Sequence, residues 1–384
     1  MANTLTNLAA DIYKAADMVG REAVGFVSSG VINGGTERAA KGDTVRAAFT
    51  RAQTVNTTFA PAMTIPEGTD QTVDNKTVVL NSYASIQIPW TGEDQKHLDN
   101  GAGFETVYGD QFRQAFRSIV NKIELDGWNE ARKNASRAYG TAGTTPFGSN
   151  FNELPQLQKI LVDNGMPFGD GQLSLVMDTT AAANLMSLSA LQKVNEAGSN
   201  ELLRQGALGE LMGFILKRSG QVGLHTKGTG ASYQFNGAGA VGDTSINLDT
   251  GTGTIVAGDI LTAANGTPAD TNKYVVNTAL SGGVAVIGGP GLRSSHVDND
   301  AVTVGNNYTA NVALHRNALE LAIRPPAEPQ GGDAADDKMI VQDPHSGLVF
   351  EVAAYKGYMK RMIEIRALYQ WKAWKSDAIV LLLG

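Results

Sequence analysis

The sequence predicts an α+β protein organised around one long helix, with strand-rich segments on either side of it and a separate all-β module inserted in the second half. Three observations predict this. From Phe104 to Arg137 apolar side chains recur at Tyr108, Phe112, Phe116, Ile119 and Ile123, the spacing of one face of a 3.6-residue helix. Before and after that stretch the apolar period falls to two, the mark of half-buried strands. Between Gly228 and Asn311 the only Lys or Arg residues are Lys273 and Arg293, and short Val, Ile and Thr segments alternate with Gly, Asn and Asp turns.

The chain has 384 residues, 42% of them hydrophobic, enough for more than one sizeable core. A net charge of −7 argues against broad affinity for phosphate backbones. With Cys 0, the fold needs neither a disulfide nor a thiolate metal site, which suits a reducing compartment. The longest apolar run, Ala378 to Leu383, is far too short to cross a bilayer, and the first twenty residues lack the layout of a signal peptide, so a soluble protein is expected.

In chain order, Leu5, Leu8, Ile12, Val19 and Val24 predict an amphipathic helix over residues 3–27, broken by Ser28-Ser29-Gly30. Asp43 to Phe59 and Thr72 to Pro89 read as two long strands around a Pro- and Gly-containing tip, APAMTIPEGTDQ. A lone two-stranded ribbon is marginal in water, so its apolar face calls for a surface from outside. The long helix would be a rod of ~45–50 Å, with Asp110, Arg113, Arg117, Lys122, Asp126, Glu130, Arg132 and Lys133 on its wet side.

After a Gly/Thr linker, a helix around Leu154 to Leu161, a buried strand Leu173 to Met177, a helix Thr180 to Leu191 and a glycine turn into the strand Phe214-Ile215-Leu216 form an α/β unit. Ser232 to Asn311 reads as a barrel-like module of short strands. Val312 to His315 and Leu319 to Ile323 return to the interrupted unit. Pro325 to Lys338 reads as a loop, Met359 to Ala373 as a long half-buried ribbon, and Ala378 to Leu383 as a strand buried on both faces.

No motif carries catalytic chemistry. GAGAVG at 237–242 matches a dinucleotide fingerprint literally, but the following DTSINLDT reads as strand where a helix N-terminus is needed, so it is a turn. His97, His225, His296, His315 and His345 show no metal-ligand spacing and read as packed or surface residues. The basic and aromatic stretch from Tyr355 to Lys375 alternates, which favours one packed and one wet face over a nucleic-acid groove. Catalytic, cofactor and metal sites are all expected to be absent.

The order of parts resembles the major capsid (coat) protein of tailed bacteriophages, the fold shared with herpesvirus shells, and in particular the short-tailed phage branch with an inserted β-domain. KGDTV at 41–45, LLRQGALGELMGF at 202–214, NVALHRNALELAIRPP at 311–326 and DPHSGLVFEV at 343–352 carry the likeness locally. The parts expected are an N-terminal arm (1–40), an extended hairpin loop (41–100), the spine helix of a peripheral domain (101–140), the first part of an axial domain (141–231), the inserted β-module (232–311), and the returning axial and peripheral segments (312–384).

The resemblance implies a virion protein, assembled in the host cytoplasm, that builds an icosahedral shell around double-stranded DNA through pentamers and hexamers. It implies a scaffolding protein and a portal protein as partners, with weak, non-specific contact to packaged DNA. A bacterial nanocompartment shell is the alternative of the same fold, and an α/β enzyme the alternative of another class. Leu8, Ile12, Val19, Phe59, Met63, Ile65, Tyr83 and Ile86 are the inter-subunit candidates, and Asp11, Asp17 and Glu22 the scaffold-binding ones. Ile86→Asp is accordingly expected to block assembly of a folded monomer.

Overall fold

A computed structural model describes residues 25–50, 55, 57, 60–65, 73–99, 104–192, 209–342 and 347–384. The expected N-terminal helix therefore lies, but for its last residues, outside the described residues, together with Leu8, Asp11, Ile12, Asp17, Val19, Glu22, Phe59 and His345.

The chain begins with β1 (Val31–Gly34), the ribbon β2 (Thr44–Thr50) and β3 (Val73–Val79), β4 (Ser82–Thr91), a short helix α1 (Gly92–Asp99) and the spine helix α2 (Phe104–Lys133). Next come β5 (Arg137–Gly140), α3 (Glu153–Asp163), β6 (Leu173–Met177), α4 (Thr179–Ser187), α5 (Ser189–Gln192), β7 (Glu210–Leu211), β8 (Phe214–Arg218) and β9 (Leu224–His225). The module follows as β10 (Tyr233–Phe235), β11 (Ser245–Asp249), β12 (Ile260–Ala263), β13 (Lys273–Ser281), β14 (Val284–Ile287) and β15 (Ala301–Val304). The chain closes with β16 (Tyr308–His315), β17 (Leu319–Arg324), β18 (Ala335–Gln342), β19 (Val349–Gly357), β20 (Lys360–Ala373) and β21 (Ile379–Leu383).

A peripheral sheet in the order β1-β17-β20-β19-β18, with β4 also on β20, carries the spine helix on one face. Odd-numbered residues of β20, Ile363, Ile365, Ala367, Tyr369 and Trp371, share a core with Phe112, Phe116, Ile119 and Ile123. The Trp371 indole donates to the Ile123 carbonyl at 2.7 Å, and the Tyr369 hydroxyl donates to Asp126 at 2.8 Å. Gly127 allows this approach: a Cβ there would lie 2.9 Å from the Trp371 ring.

The axial sheet runs β5-β21-β16-β6-β8-β7 between two layers. Ile379, Leu381 and Leu383 of β21 enter the spine-helix core, while Val380 and Leu382 enter a second core with Leu154, Leu157 and Leu161 of α3 and Leu185 of α4. This two-sided burial is why Ala378 to Leu383 shows no alternation. Asp178 caps α4 by accepting from Thr180 and Ala181 amides.

The module is a closed antiparallel barrel in the order β12-β15-β10-β11-β14-β13, with β13 pairing back to β12. Its interior holds Phe235, Ile246, Leu248, Leu261, Val276, Ile287, Val302 and Val304. The chain enters and leaves it at adjacent points, since His225 of β9 pairs Tyr308 of β16. It is docked as well as tethered: Lys273 and Tyr274 of β13 pair Ala138 and Arg137 of β5.

Several sequence readings are corrected. Thr72 to Pro89 is two strands: β3 pairs β2, and β4 pairs β20. The alternation runs unbroken across Leu80 and Asn81, so a pattern of period two cannot register the change of partner. The spine helix stops at Lys133, short of Arg137, because the Ser136 amide and hydroxyl both donate to the Ile379 carbonyl at 2.9 Å and draw the chain onto β21. The barrel strands end before Asn311, since Tyr308 to His315 form the central axial strand β16. Ala335 to Lys338, read as loop, begin edge strand β18, where Asp336, Asp337 and Lys338 fit a strand edge that must resist further pairing. One reading holds unchanged: Gly237 to Gly242 is a turn region followed by strand β11.

Candidate functional site

The β2–β3 ribbon is one register of pairs from Thr44↔Val79 to Thr50↔Val73, roughly 24 Å long at about 3.4 Å per residue. Its base is fastened to the subunit: the Gly42 amide donates to the Leu80 carbonyl at 2.8 Å and the Leu80 amide to Asp43 at 2.9 Å. Val45, Val78 and Leu80 pack with Ala39, Ala322, Leu368 and Trp374 on the side of the peripheral sheet opposite the spine helix, and Lys76 lies 5.7 Å over the Trp374 ring. This corrects the expectation of a ribbon whose apolar face waits for an outside surface: at the base Ala322 of β17, Leu368 of β20 and Trp374 supply it. At the far end Met63 is fully exposed, Ile65 is 93% exposed and Val55 80% exposed.

Of the inter-subunit candidates within the described residues, Met63, Ile65 and Tyr83 are exposed, and Ile86 is not. Ile86 is partly buried against the spine-helix core and registers with Ile365, because Ala84, Ile86, Ile88 and Trp90 form the inward face of β4. Tyr83 lies on the outward face, its hydroxyl 3.4 Å from Glu364, and burial raises its pKa. Ile86→Asp would therefore damage the subunit itself. Sequence reasoning missed the turn between β19 and β20, where Tyr358 and Met359 stand exposed and Met359 has φ 53. The available signal was Gly357, which pairs with Lys360 and closes the two-residue turn.

Ionic contacts close into a ring around the ribbon's stem. Glu351 of β19, fully buried, accepts from Arg38 at 2.7 Å and from Arg366 at 2.8 Å. Arg38 also pairs Glu328 at 2.8 Å, Glu328 pairs Lys338 at 2.8 Å, Lys338 pairs Asp333 at 2.5 Å, and Asp333 faces Arg366 at 3.6 Å. Tyr355 bridges the last gap, donating to Asp333 at 3.1 Å and accepting from Arg366 at 3.0 Å. The Lys338 ammonium, with further help from the Ala335 amide and Tyr355, outweighs desolvation and holds the Asp333 carboxyl at about 2. Burial works against the Arg366 charge, but the Glu351 carboxylate more than compensates and raises its pKa.

Two buried clusters fix other junctions. Glu124, on the spine helix, accepts from the Phe26 amide at 2.7 Å and the Val27 amide at 2.9 Å, where the N-terminal segment meets the body; desolvation raises its pKa despite these bonds. Arg132, assigned to the wet side by periodicity, is buried over the Trp128 ring at 5.0 Å and bonded to His225 Nδ1. His225 Nε2 meets Asp259 of the barrel at 2.8 Å, and Asp259 accepts from the Val256 amide at 2.8 Å and the Gly228 amide at 3.1 Å. Gly258, at φ 97, leaves room for Arg132: a Cβ there would lie 2.3 Å from its Nη1.

The buried histidines are committed to such bonds. His296 stacks on Phe235 with Asp300 at 3.1 Å and Asp270 at 3.3 Å on its two nitrogens, and His315 lies 2.9 Å from Asp170 while accepting from the Asn317 amide at 3.3 Å. Among the described residues no group of three or more His, Cys, Asp or Glu is disposed to hold a metal, and no helix is long and apolar enough to cross a membrane.

The barrel carboxylates give a pH prediction. Desolvation alone would raise Asp270 and Asp300, but bonds from Tyr274, Asn272 and His296 to the first, and from Val297, Asn265 and His296 to the second, hold both below the ordinary carboxylate value. Their stabilisation is present above the unfolded pKa of about 3.9 and is lost as pH falls through the lower folded values. Calorimetry from pH 6 to pH 2.5 should show the melting-temperature advantage of wild type over the double variant Asp270→Asn with Asp300→Asn constant above about pH 5 and shrinking below about pH 4.

No family model and no curated protein matches the chain. Among solved structures it is similar to one from Mycobacterium phage Che8, at 15% identity and TM-score 0.47 over 90% of this chain and 88% of that one. It is also similar to the capsid structure of cyanophage P-SCSP1u, at 9% identity and TM-score 0.48 over 92% of this chain and 86% of the other. The mature capsid of bacteriophage PhiM1 is similar at 9% identity and TM-score 0.48, over 93% of this chain and 86% of the other.

Proposed function

We propose that this chain is the structural subunit of an icosahedral shell, a major capsid protein of the tailed-phage type, which assembles through rings of five and six subunits into a container for double-stranded DNA. One observation carries the reading: a ribbon clamped at its base projects Met63, Ile65 and Val55 into solvent. Scattered exposed apolar residues are ordinary on protein surfaces, but these lie between the two strands of a ribbon anchored at its base, and the subunit's own core leaves them in solvent. Fully burying a Met or Ile side chain is worth about 1.5–3 kcal/mol, so a second copy that receives the tip gains a contact repeated around every ring.

The order of parts supports the same reading. Stem, ribbon, spine helix, two-layered axial sheet, inserted barrel and returning long strand follow one another as the resemblance implies. A scaffolding protein, a portal and loosely held DNA are the partners it calls for, with Asp11, Asp17 and Glu22 as the proposed scaffold contacts. In this role the buried histidine and carboxylate pairs serve packing, and the chain is no enzyme.

Electron microscopy of the purified protein, alone and with the scaffolding protein of the same virus, tests the reading. Closed particles of uniform diameter are the expected result. A protein that stays monomeric at high concentration under both conditions overturns it. Nuclease treatment followed by mass analysis of the contents separates a DNA container from a nanocompartment holding protein cargo.

A further inference from the structure

Arg38 is the one member of the ionic ring that belongs to the ribbon's stem, six residues before β2 begins at Thr44. The ring's other members, Glu328, Asp333, Lys338, Glu351 and Arg366, lie on the segment from Pro325 through β18, on β19 and on β20. Beside Arg38 the stem is held by the apolar packing of Ala39 and Val45 at the ribbon's base and by backbone bonds: Ala39 donates to the Pro325 carbonyl at 3.0 Å and accepts from the Ala327 amide at 2.8 Å. Arg38 adds direction to these. Its Nη2 reaches Glu351 and Glu328 while its Nη1 donates to the Pro326 carbonyl at 2.9 Å, so the guanidinium plane is fixed on two edges.

Glu351 is chemically unusual in this setting. It is fully buried on a strand, and its two oxygens are divided between two guanidinium groups, Oε1 to Arg38 and Oε2 to Arg366. A buried carboxylate is costly unless its charge is matched, and Arg366 keeps one cation on Glu351 when Arg38 is replaced. Arg38 belongs to no strand of the sheet, so its bond to Glu351 ties the ribbon's stem to β19.

We infer that Glu351 is a positioning residue for the ribbon: through Arg38 it latches the stem to the peripheral sheet and sets the angle at which Met63 and Ile65 are presented to the next subunit. The consequence for assembly rests on the proposed shell function; the latch itself does not. Arg38 is partly exposed and its pairs alternate in sign around a closed circuit, so the latch yields to salt and to loss of a single member without unfolding the core.

Hydrogen exchange of the full chain tests this, comparing wild type with Arg38→Met, Arg38→Lys and Glu351→Gln. Arg38→Met should speed exchange of the ribbon amides, residues 44–50 and 73–79, roughly tenfold, as expected for losing charge-assisted bonds at a partly exposed site, while amides of β19 and β20 keep their wild-type rates. Arg38→Lys should recover part of the protection, since it keeps the charge and loses the fork. Glu351→Gln should reproduce the ribbon effect, and if it fails to fold, Arg38→Met decides alone.

Unchanged ribbon exchange in Arg38→Met, or equal acceleration of ribbon and core, overturns the latch. If the ribbon is freed, particles of mixed diameter or slow assembly are expected, and uniform particles at the wild-type rate overturn its positioning role. Failure of wild type to form any particle counts against the shell reading and leaves the exchange comparison to judge the latch.

Discussion

Replacing Met63 and Ile65 together with aspartate should abolish particle formation while leaving the subunit as stable as wild type. Both side chains stand in solvent, so the folded subunit loses no packing, and surface substitutions of this kind usually shift stability by less than about 0.5 kcal/mol. In the shell each variant tip forfeits about 3–6 kcal/mol of apolar burial, a factor of roughly 10² to 10⁴ in pairwise affinity, before the cost of desolvating two carboxylates. Ring closure repeats the loss at every contact. Circular dichroism melts should superimpose on wild type, and light scattering with microscopy should show no closed particles. Normal particles at normal yield would exclude the tip from the assembly surface. Ile86→Asp is a poor substitute, since it puts a charge against the spine-helix core and would confound folding with assembly.

Asp259→Ala should cost the subunit about 3–5 kcal/mol, the range for removing one partner of a buried charged group. Asp259 is fully buried, and its loss leaves His225 Nε2 and the Gly228 and Val256 amides without their acceptor, and the Arg132 guanidinium without the buried carboxylate that favours its charge. Urea unfolding reads the loss. Arg132→Met in the Asp259→Ala background should return part of it, because the uncompensated cation is then gone. A cost under about 1 kcal/mol would show that water reaches the cluster and that the barrel is held only by its strand pairing.

The parts of the fold that could be read directly were those where one residue pattern serves one partner. The spine helix shows its stripe because Phe112, Phe116, Ile119 and Ile123 all face a single sheet, and β20 alternates because its other face meets the ribbon's base and the ionic ring. The signals failed where tertiary partners change without a change of period, as between β3 and β4, or where a charged residue is buried for its hydrogen bonds, as with Arg132. Periodicity sorts residues by polarity, so it sends such groups to the surface. The exposed tip was legible as Met63 and Ile65 in a Pro-bounded loop, but the clamping of the ribbon's base by Ala322, Leu368 and Trp374 was not, since those residues lie more than two hundred positions away.

Closure of the β10 to β15 barrel has a further consequence for a molecule that works in dense arrays. Open sheet margins packed side by side at the concentrations found in a shell invite strand exchange and fibrous misassembly. A barrel whose first and last strands are joined offers no such margin, so the inserted module adds bulk to every copy without adding adhesiveness. The free margin at β18 is guarded differently, by Asp336, Asp337 and Lys338, whose charges cannot be carried into a foreign ladder without losing their hydration.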